Sequence, residues 1–261
     1  MISAIHGDLA KRTEVEGMVA QVKELGKPVD LLVNNAGMAS DSNEPGEEGI
    51  NQTITVNHLH VLLLTLLILP HMHPTGRIVF VASSLYTRVA NGSPDLALES
   101  TRAATEPRRS YSVSKLYNLW TSQQLARLTS GTDTLANASS PAAQILRDHK
   151  DVTITALCPG FIPTTGLTRH AGPVLALLMR WVFPLMPFTV SLDDGIQRVW
   201  YASTATQETV GESVHGQLVM GNPPKVCAIE EHGKDMRKAR EVWNRSVDLL
   251  GLRDSGWALG E

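Results

Sequence analysis

The sequence of 261 residues has little cysteine, few aromatic residues and no block of basic residues. Its two cysteines, Cys158 and Cys227, cannot build a disulfide framework and are typical of a reducing compartment. With 23 Lys and Arg against 26 Asp and Glu, the net charge is -3, which gives no support for nucleic-acid binding. No charged segment followed by an apolar one opens the chain, so we predict no signal peptide and a cytoplasmic protein.

Long uninterrupted apolar runs are also scarce. Residues 61–69 are too few to span a bilayer. Residues 171–190 are long enough, but Arg180 and three prolines interrupt them. We predict that residues 171–190 cover an apolar substrate, and peripheral membrane contact is the less favoured interpretation.

Strand and helix patterns alternate along the chain with short connections, and the length predicts one domain, residues 1–261. Patterns typical of strands occupy residues 2–6, 29–33, 77–82, 152–157 and 216–220. Patterns typical of helices occupy residues 13–25, 51–69, 110–129, 191–202 and 234–250, the last being a charged amphipathic C-terminal helix. This alternation predicts an α/β fold with a parallel sheet covered on both faces.

A tyrosine and a lysine four positions apart, Tyr111 and Lys115, lie on one face of a predicted helix. We expect the positive charge of Lys115 to lower the pKa of the Tyr111 phenol towards neutrality. Such a phenol can donate or accept a proton near pH 7, which carbonyl reduction and alcohol oxidation require. As a bare motif the pair is weak, because most such pairs are simply exposed helical neighbours.

Polar residues follow three of the predicted strands. Residues 34–37 follow one strand, Ser84 ends the next, and residues 159–164 follow a third. Because ligands of doubly wound sheets bind beyond the carboxyl ends of the strands, these residues predict one site. The hydroxyl of Ser84 is expected to hold a substrate carbonyl against the phenol, although a serine here can also merely cap a turn.

Four residues have further expected roles in this predicted site. Asn57, inside the long apolar helix, is expected to position a water that relays protons to Lys115, or else is a core amide. Gly37 and Gly160 would let the backbone approach a flat cofactor closely. Asn34 either belongs to this site or only ties adjacent strands together through hydrogen bonds of its side chain.

Taken in order, these motifs resemble the short-chain dehydrogenase/reductase family. The resemblance implies a Rossmann-like doubly wound parallel sheet that binds NADP or NAD. The matching pieces are Asp8-Leu9, N-N-A-G at residues 34–37, V-N at 56–57, R-I-V-F-V-A-S-S ending at Ser84, Y-S-V-S-K at 111–115 and P-G-F-I-P-T at 159–164.

The resemblance also implies a role for each matching residue. It implies a catalytic tetrad of Asn57, Ser84, Tyr111 and Lys115, in which Tyr111 is the acid/base and Lys115 also binds the nicotinamide ribose. We expect no metal site. The cofactor-binding residues implied are Asp8, Leu9, Asn34, Ala36, Gly37, Tyr111, Lys115, Pro159, Gly160 and Thr164.

Later motifs narrow the resemblance to the retinol dehydrogenase and protochlorophyllide reductase branch. They are P-G-F-I-P-T-T-G-L-T-R at residues 159–169 and A-R-E-V-W-N-R-S at residues 239–246, together with a long loop before Tyr111. This branch implies hydride transfer between a nicotinamide and a bulky apolar alcohol, aldehyde or ketone, mostly with NADP. Many relatives are homodimers through the helices that correspond to residues 51–69 and 110–129, so a homodimer is possible.

One family feature does not occur in the sequence, namely the glycine-rich turn T-G-x-x-x-G-x-G. Family members reach the Asp-Leu pair only after two strands, so we expect the first two strands of the family sheet to be missing here. Residues 2–6 would then either pair with residues 29–33 or leave that sheet edge open. The pyrophosphate would also lack its glycine cradle.

Three explanations of this departure compete. The first is a shortened form of an ordinary dehydrogenase. The second is a natural short protein that works without nucleotide, catalysing isomerisation, dehydration or cyclisation by acid/base chemistry. The third is an inactive partner protein. A smaller departure, His60 where the family often has glycine, is interpreted as structural.

Overall fold

A computed structural model describes residues 4–40, 43–106, 108–163, 186 and 189–260. Within these residues, five strands form one sheet in which spatial order follows chain order. The first four strands are parallel and the fifth is antiparallel to the fourth. The predicted α/β class with a mostly parallel sheet is therefore confirmed. The strands are β1 (Val29–Asn34), β2 (Met72–Val81), β3 (Thr153–Leu157), β4 (Leu218–Met220) and β5 (Lys225–Cys227).

Helices precede, connect and follow these strands. They are α1 (Arg12–Glu24), α2 (Gln52–Ile54), α3 (His60–Ile68), α4 (Leu96–Ala103), α5 (Arg109–Thr129), α6 (Pro141–Asp148), α7 (Leu192–Thr204), α8 (Gln207–Val210) and α9 (Met236–Leu249). Three short 3₁₀ helices lie at Leu69–His71, Ser84–Val89 and Glu231–Lys234. The predicted helices at residues 13–25, 110–129, 191–202 and 234–250 correspond to α1, α5, α7 and α9.

The predicted helix over residues 51–69 is interrupted by a π-helical turn. Thr55–Leu59 is π-helical, and it joins α2 to α3 with Asn57 at its centre. Such turns inside α-helices frequently occur at functional sites. The span Gln52–His71 is long and apolar enough to cross a membrane, but 83% of its apolar window is buried, as in the core helix of a globular domain.

The two faces of the sheet carry different helices. One face packs against α1, α3 and α5 in the main hydrophobic core, which includes Ile78, Phe80 and Trp120. The opposite face packs against α7, where Val79 and Leu157 belong to a smaller apolar cluster. Nearly all of α5 is buried, so its polar side chains are held in fixed positions.

The structure differs from expectation at the N-terminus. Residues 4–11 form neither helix nor strand, so the predicted strand at residues 2–6 is wrong for the part that the structure describes. Strand β1 pairs with β2 alone among the described residues, which leaves its other edge open. Leu31 on this edge strand is 42% exposed.

Candidate functional site

The candidate site lies where three parallel strands end beside the first turns of α5. The register aligns Asn34 with Phe80 and Val81 with Leu157, so the carboxyl ends of β1, β2 and β3 lie at one edge of the sheet. The predicted polar residues at these strand ends are therefore neighbours in space.

Tyr111 and Lys115 lie side by side on α5. The Nζ atom of Lys115 is 5.6 Å from the centroid of the Tyr111 ring. It donates a hydrogen bond of 2.9 Å to the carbonyl oxygen of Val81, the last residue of β2. An ammonium group has three hydrogens, and within the described residues this is its one hydrogen bond. Two donors therefore remain available to a ligand.

The serine that reaches Tyr111 is Ser83 and not the predicted Ser84. The Ser83 side chain interacts with the Tyr111 phenol and lowers its pKa, and the Ser83 Oγ accepts from the backbone N–H of Leu85 at 3.2 Å. Ser84 is exposed, and its backbone N–H donates to Cys158 Sγ at 3.1 Å. Adjacent residues leaving a strand point to opposite sides, which explains the one-residue difference.

Burial dominates the electrostatics of the pair. It raises the pKa of Tyr111 above its ordinary value of 10, although the hydrogen bond from Ser83 lowers it in part. It lowers the pKa of Lys115 from 10.5 to about 8. The predicted lowering of the Tyr111 pKa by Lys115 is therefore not found in this geometry, because desolvation of the phenol outweighs other effects. At neutral pH the phenol holds its proton and can donate it.

Asn57, which lies in the π-helical turn, connects the loop after β1 to helix α5. Its Oδ1 accepts from the backbone N–H of Met38 at 2.8 Å, and its Nδ2 donates to the Met38 carbonyl at 2.8 Å and to Ser114 Oγ at 3.1 Å. A Cβ added to Gly37 would lie 3.1 Å from Asn57 Oδ1 and 3.6 Å from Lys115 Nζ. Glycine at this position thus keeps the backbone close to both polar groups.

The remaining residues of the N-N-A-G motif differ in their surroundings. Asn34 is buried, and its Nδ2 donates to Thr65 Oγ1 on α3 at 2.9 Å. It therefore ties β1 to a helix rather than to a neighbouring strand. Its Oδ1 is buried with no hydrogen-bond partner among the described residues. Ala36 is exposed at the strand end.

The P-G turn after β3 is held by Arg198, a residue that the sequence did not single out. The Arg198 side chain is buried on α7, and it donates to the carbonyls of Pro159 at 2.8 Å and Gly221 at 2.7 Å. Gly160 has φ +86°, and a Cβ there would lie 2.6 Å from Arg198 Nη1. Thr164 and most of the predicted substrate-covering segment, residues 171–190, lie outside the described residues.

Asp8 and Leu9 make their described contacts with α1 and α3 rather than with the Tyr111 site. Asp8 is exposed, and its Oδ1 accepts from the N–H of Ala10 at 2.8 Å. The Leu9 carbonyl is 2.6 Å from Nδ1 of His60. Contact of Asp8 and Leu9 with the cofactor stays a prediction.

The residues present fit the nicotinamide-ribose end of a dinucleotide. The two free donors of Lys115 suit ribose hydroxyls, and Gly37 removes a Cβ that would crowd the same place. At Gly160 the place of a Cβ is taken by Val190 and Arg198, so the approach of this turn to a cofactor stays a prediction. Lys115, Tyr111 and the Gly37 turn would hold this end of the cofactor.

Comparisons with known proteins show the family of this chain. The family described as short chain dehydrogenase matches residues 1–93. Polyprenol dehydrogenase of Mus musculus is 32% identical over 251 residues, which cover 94% of this chain and 67% of that protein. Retinol dehydrogenase 14 of Homo sapiens is 28% identical over 94% of this chain and 66% of that protein. The chloroplastic protochlorophyllide reductase B of Hordeum vulgare is 27% identical over 95% of this chain and 65% of that protein. The chain thus spans about two thirds of the length of these relatives.

Solved structures share the fold at lower identity. An uncharacterized protein from Mycobacterium paratuberculosis has a TM-score of 0.60 and 23% identity, over 94% of this chain and 74% of that chain. The 3-alpha-hydroxysteroid dehydrogenase from Pseudomonas sp. B-0831, complexed with NADH, has a TM-score of 0.53 and 20% identity, over 82% and 79%. These two likenesses support the fold.

Proposed function

Because this chain belongs to the short-chain dehydrogenase/reductase family of oxidoreductases, we propose that it transfers a hydride between NADP(H) or NAD(H) and a bulky apolar alcohol, aldehyde or ketone. The observation that carries this proposal is the meeting of three side chains at the strand ends. Ser83 interacts with the Tyr111 phenol and lowers its pKa, and the buried Lys115 ammonium lies 5.6 Å from the same ring.

Each of these side chains has a distinct task in the proposed reaction. The Ser83 hydroxyl donates to the substrate oxygen and fixes it beside the phenol. Tyr111, which is protonated at neutral pH, gives its proton to that oxygen during carbonyl reduction. Lys115 keeps a positive charge near the phenol and uses its free donors to bind the ribose. A bound nicotinamide supplies the hydride, which no side chain can provide.

The proposed substrate class rests on the relatives. Two of them are named for apolar isoprenoid alcohols, polyprenol and retinol. Lys115 and Arg198, the charged side chains placed at the site above, are both hydrogen-bonded to backbone carbonyls. An apolar substrate with a single oxygen function suits such a site, because one serine and one tyrosine are enough to orient it.

The proposal is tested by titrating the chain with NADPH and NADH and by assaying reduction of retinal and of long-chain polyprenals. We expect Tyr111→Phe to lower kcat by about 10²-fold or more, because general acid catalysis contributes that much. Ser83→Ala should also lower kcat, whereas Ser84→Ala is the matched control and should keep wild-type activity.

The outcomes separate the competing explanations. Loss of activity in Ser84→Ala with full activity in Ser83→Ala would contradict the assignment of the serine. Turnover without nucleotide that disappears in Tyr111→Phe would replace hydride transfer by cofactor-free acid/base chemistry. Cofactor binding that appears only after a glycine-rich β-α-β segment is added upstream would show that this chain is a shortened form.

A further inference from the structure

A second polar cluster lies away from Tyr111, where the N-terminal turn meets the start of α3. Glu47, Glu48 and His60 each offer one potential ligand atom, and these three atoms lie within 4.8 Å of one another. Glu47 and Glu48 lie in a loop, and His60 begins a helix 12 positions after Glu48. This spacing matches no common metal-binding motif. From the sequence, no metal site is expected and His60 is interpreted as structural.

The His60 imidazole is held in one orientation. Its side chain is fully buried, and Nδ1 is 2.6 Å from the Leu9 carbonyl oxygen. A carbonyl can only accept, so Nδ1 carries a hydrogen. Metal-binding histidines are commonly oriented by this kind of bond from the second ring nitrogen. The other nitrogen, Nε2, lies 2.7 Å from Glu48 Oε1 and would release its hydrogen on binding a metal ion.

The buried carboxylate of Glu48 is the feature that indicates a bound ligand. Its side chain is 7% exposed, and its Oε2 is buried without a hydrogen-bond partner among the described residues. A buried carboxylate oxygen that lacks a partner is costly, and a cation beside it would remove that cost. Arg12 does not fill this role, because its guanidinium binds Glu16 and the Leu250 carbonyl.

Glu47 brings a second carboxylate to the same place. Its Oε2 accepts from the backbone N–H of Arg12 at the start of α1, at 2.7 Å, which fixes the side chain near His60. Two carboxylates thus face one imidazole, so the cluster is anionic even if the imidazole is protonated. Two ligands of one zinc ion lie at most about 4.4 Å apart, so the exposed Glu47 side chain would turn slightly away from the Arg12 N–H to complete the coordination.

We propose that Glu47, Glu48 and His60 bind one divalent metal ion of the zinc type. The imidazole favours Zn²⁺ over Mg²⁺ or Ca²⁺, which prefer oxygen ligands alone. The ion would join the turn at Leu9, the loop before α2 and the start of α3. We expect it to stabilise the fold rather than to take part in the reaction at Tyr111.

The test is isothermal titration of the chain with ZnCl₂, beside three single variants. Wild type is expected to bind one Zn²⁺ per chain. Loss of an outer-shell partner alone typically costs 10- to 100-fold in affinity, so Glu48→Gln and Glu47→Gln should weaken binding by at least about 10-fold. Glu44→Gln, an exposed glutamate of the same loop, is the matched control and should bind like wild type.

Thermal unfolding with and without ZnCl₂ gives an independent readout. Zn²⁺ should raise the melting temperature of wild type and of Glu44→Gln, but much less in Glu48→Gln, since a ligand that binds the folded state stabilises it. MgCl₂ at the same concentration should not reproduce the shift. Equal Zn²⁺ affinity in all four proteins, or no binding by wild type, would overturn the proposal. Glu47 is exposed, so its variant keeps the test meaningful if Glu48→Gln folds poorly.

Discussion

Lys115 places a positive charge in a fully buried position, and this has a measurable consequence for stability. Burial lowers its pKa from 10.5 to about 8. Between these two values the unfolded chain holds a proton that the folded chain has released. Stability therefore rises with pH across this window, by about 3 kcal/mol in total.

This effect predicts a pH-dependent difference between wild type and Lys115→Met. The free energy of unfolding of wild type, relative to the variant, should increase from pH 8 to pH 10.5, because only wild type carries the buried amine. Urea unfolding at several pH values measures it. Lys150→Met, at an exposed position, controls for the loss of a lysine as such. A wild-type advantage that stays constant with pH would contradict the prediction.

At the same scale, the two adjacent serines show how far the sequence alone can specify a site. The motif R-I-V-F-V-A-S-S locates the strand end, but a polar pair at that point does not say which hydroxyl turns inward. The choice depends on the pleat of β2 and on the capping bond from Leu85 N–H to Ser83. Tyr111 and Lys115 are different, because helical spacing alone places them together.

At the scale of elements, α5 is fixed to α4 by a buried ion pair just before Tyr111. Arg109 donates to both oxygens of Glu99, at 2.6 and 3.0 Å, and the Glu99 side chain is fully buried. Glu99 also accepts from Arg102 and from the Ser93 N–H, both at 2.9 Å. This carboxylate therefore anchors the connection between the serine strand and the tyrosine helix.

Glu99→Gln should consequently destabilise the fold by about 3–5 kcal/mol, since it removes the buried charge partner of Arg109 and leaves the exposed Glu106 as its remaining carboxylate. Glu106 also binds Arg109, at 2.7 Å, but its side chain is 53% exposed. Glu106→Gln should cost less than about 1 kcal/mol, as for surface pairs. Urea unfolding monitored by circular dichroism compares the two variants, and equal losses in both would argue against a special role for Glu99.

The short helices and strands are the elements that the sequence pattern did not predict. The long helices and the apolar strands have enough periodicity to be recognised, but α4 and α6 have eight residues each and β5 has three. Asp95 and Ser140 cap the two short helices, and packing against the rest of the chain stabilises them more than their own patterns do. The π-helical turn around Asn57 has no periodic signature at all.

At the scale of the whole molecule, the open edge of β1 is the feature with the clearest consequence. The strand pairs only with β2 among the described residues, so one row of backbone N–H and C=O groups lacks strand partners. Leu31 adds exposed apolar surface to this edge. Unprotected parallel edges of this kind are templates for pairing with another chain.

We therefore expect the chain to self-associate through β1 as its concentration rises, and Leu31→Lys to reduce this association, because an edge lysine opposes strand pairing. Leu98→Lys is the matched control, since Leu98 on α4 is 41% exposed against 42% for Leu31. Sedimentation velocity over a concentration series measures the association. Equal reduction by both substitutions would show that general surface hydrophobicity drives it. Association that is unchanged in Leu31→Lys would show that the β1 edge takes no part.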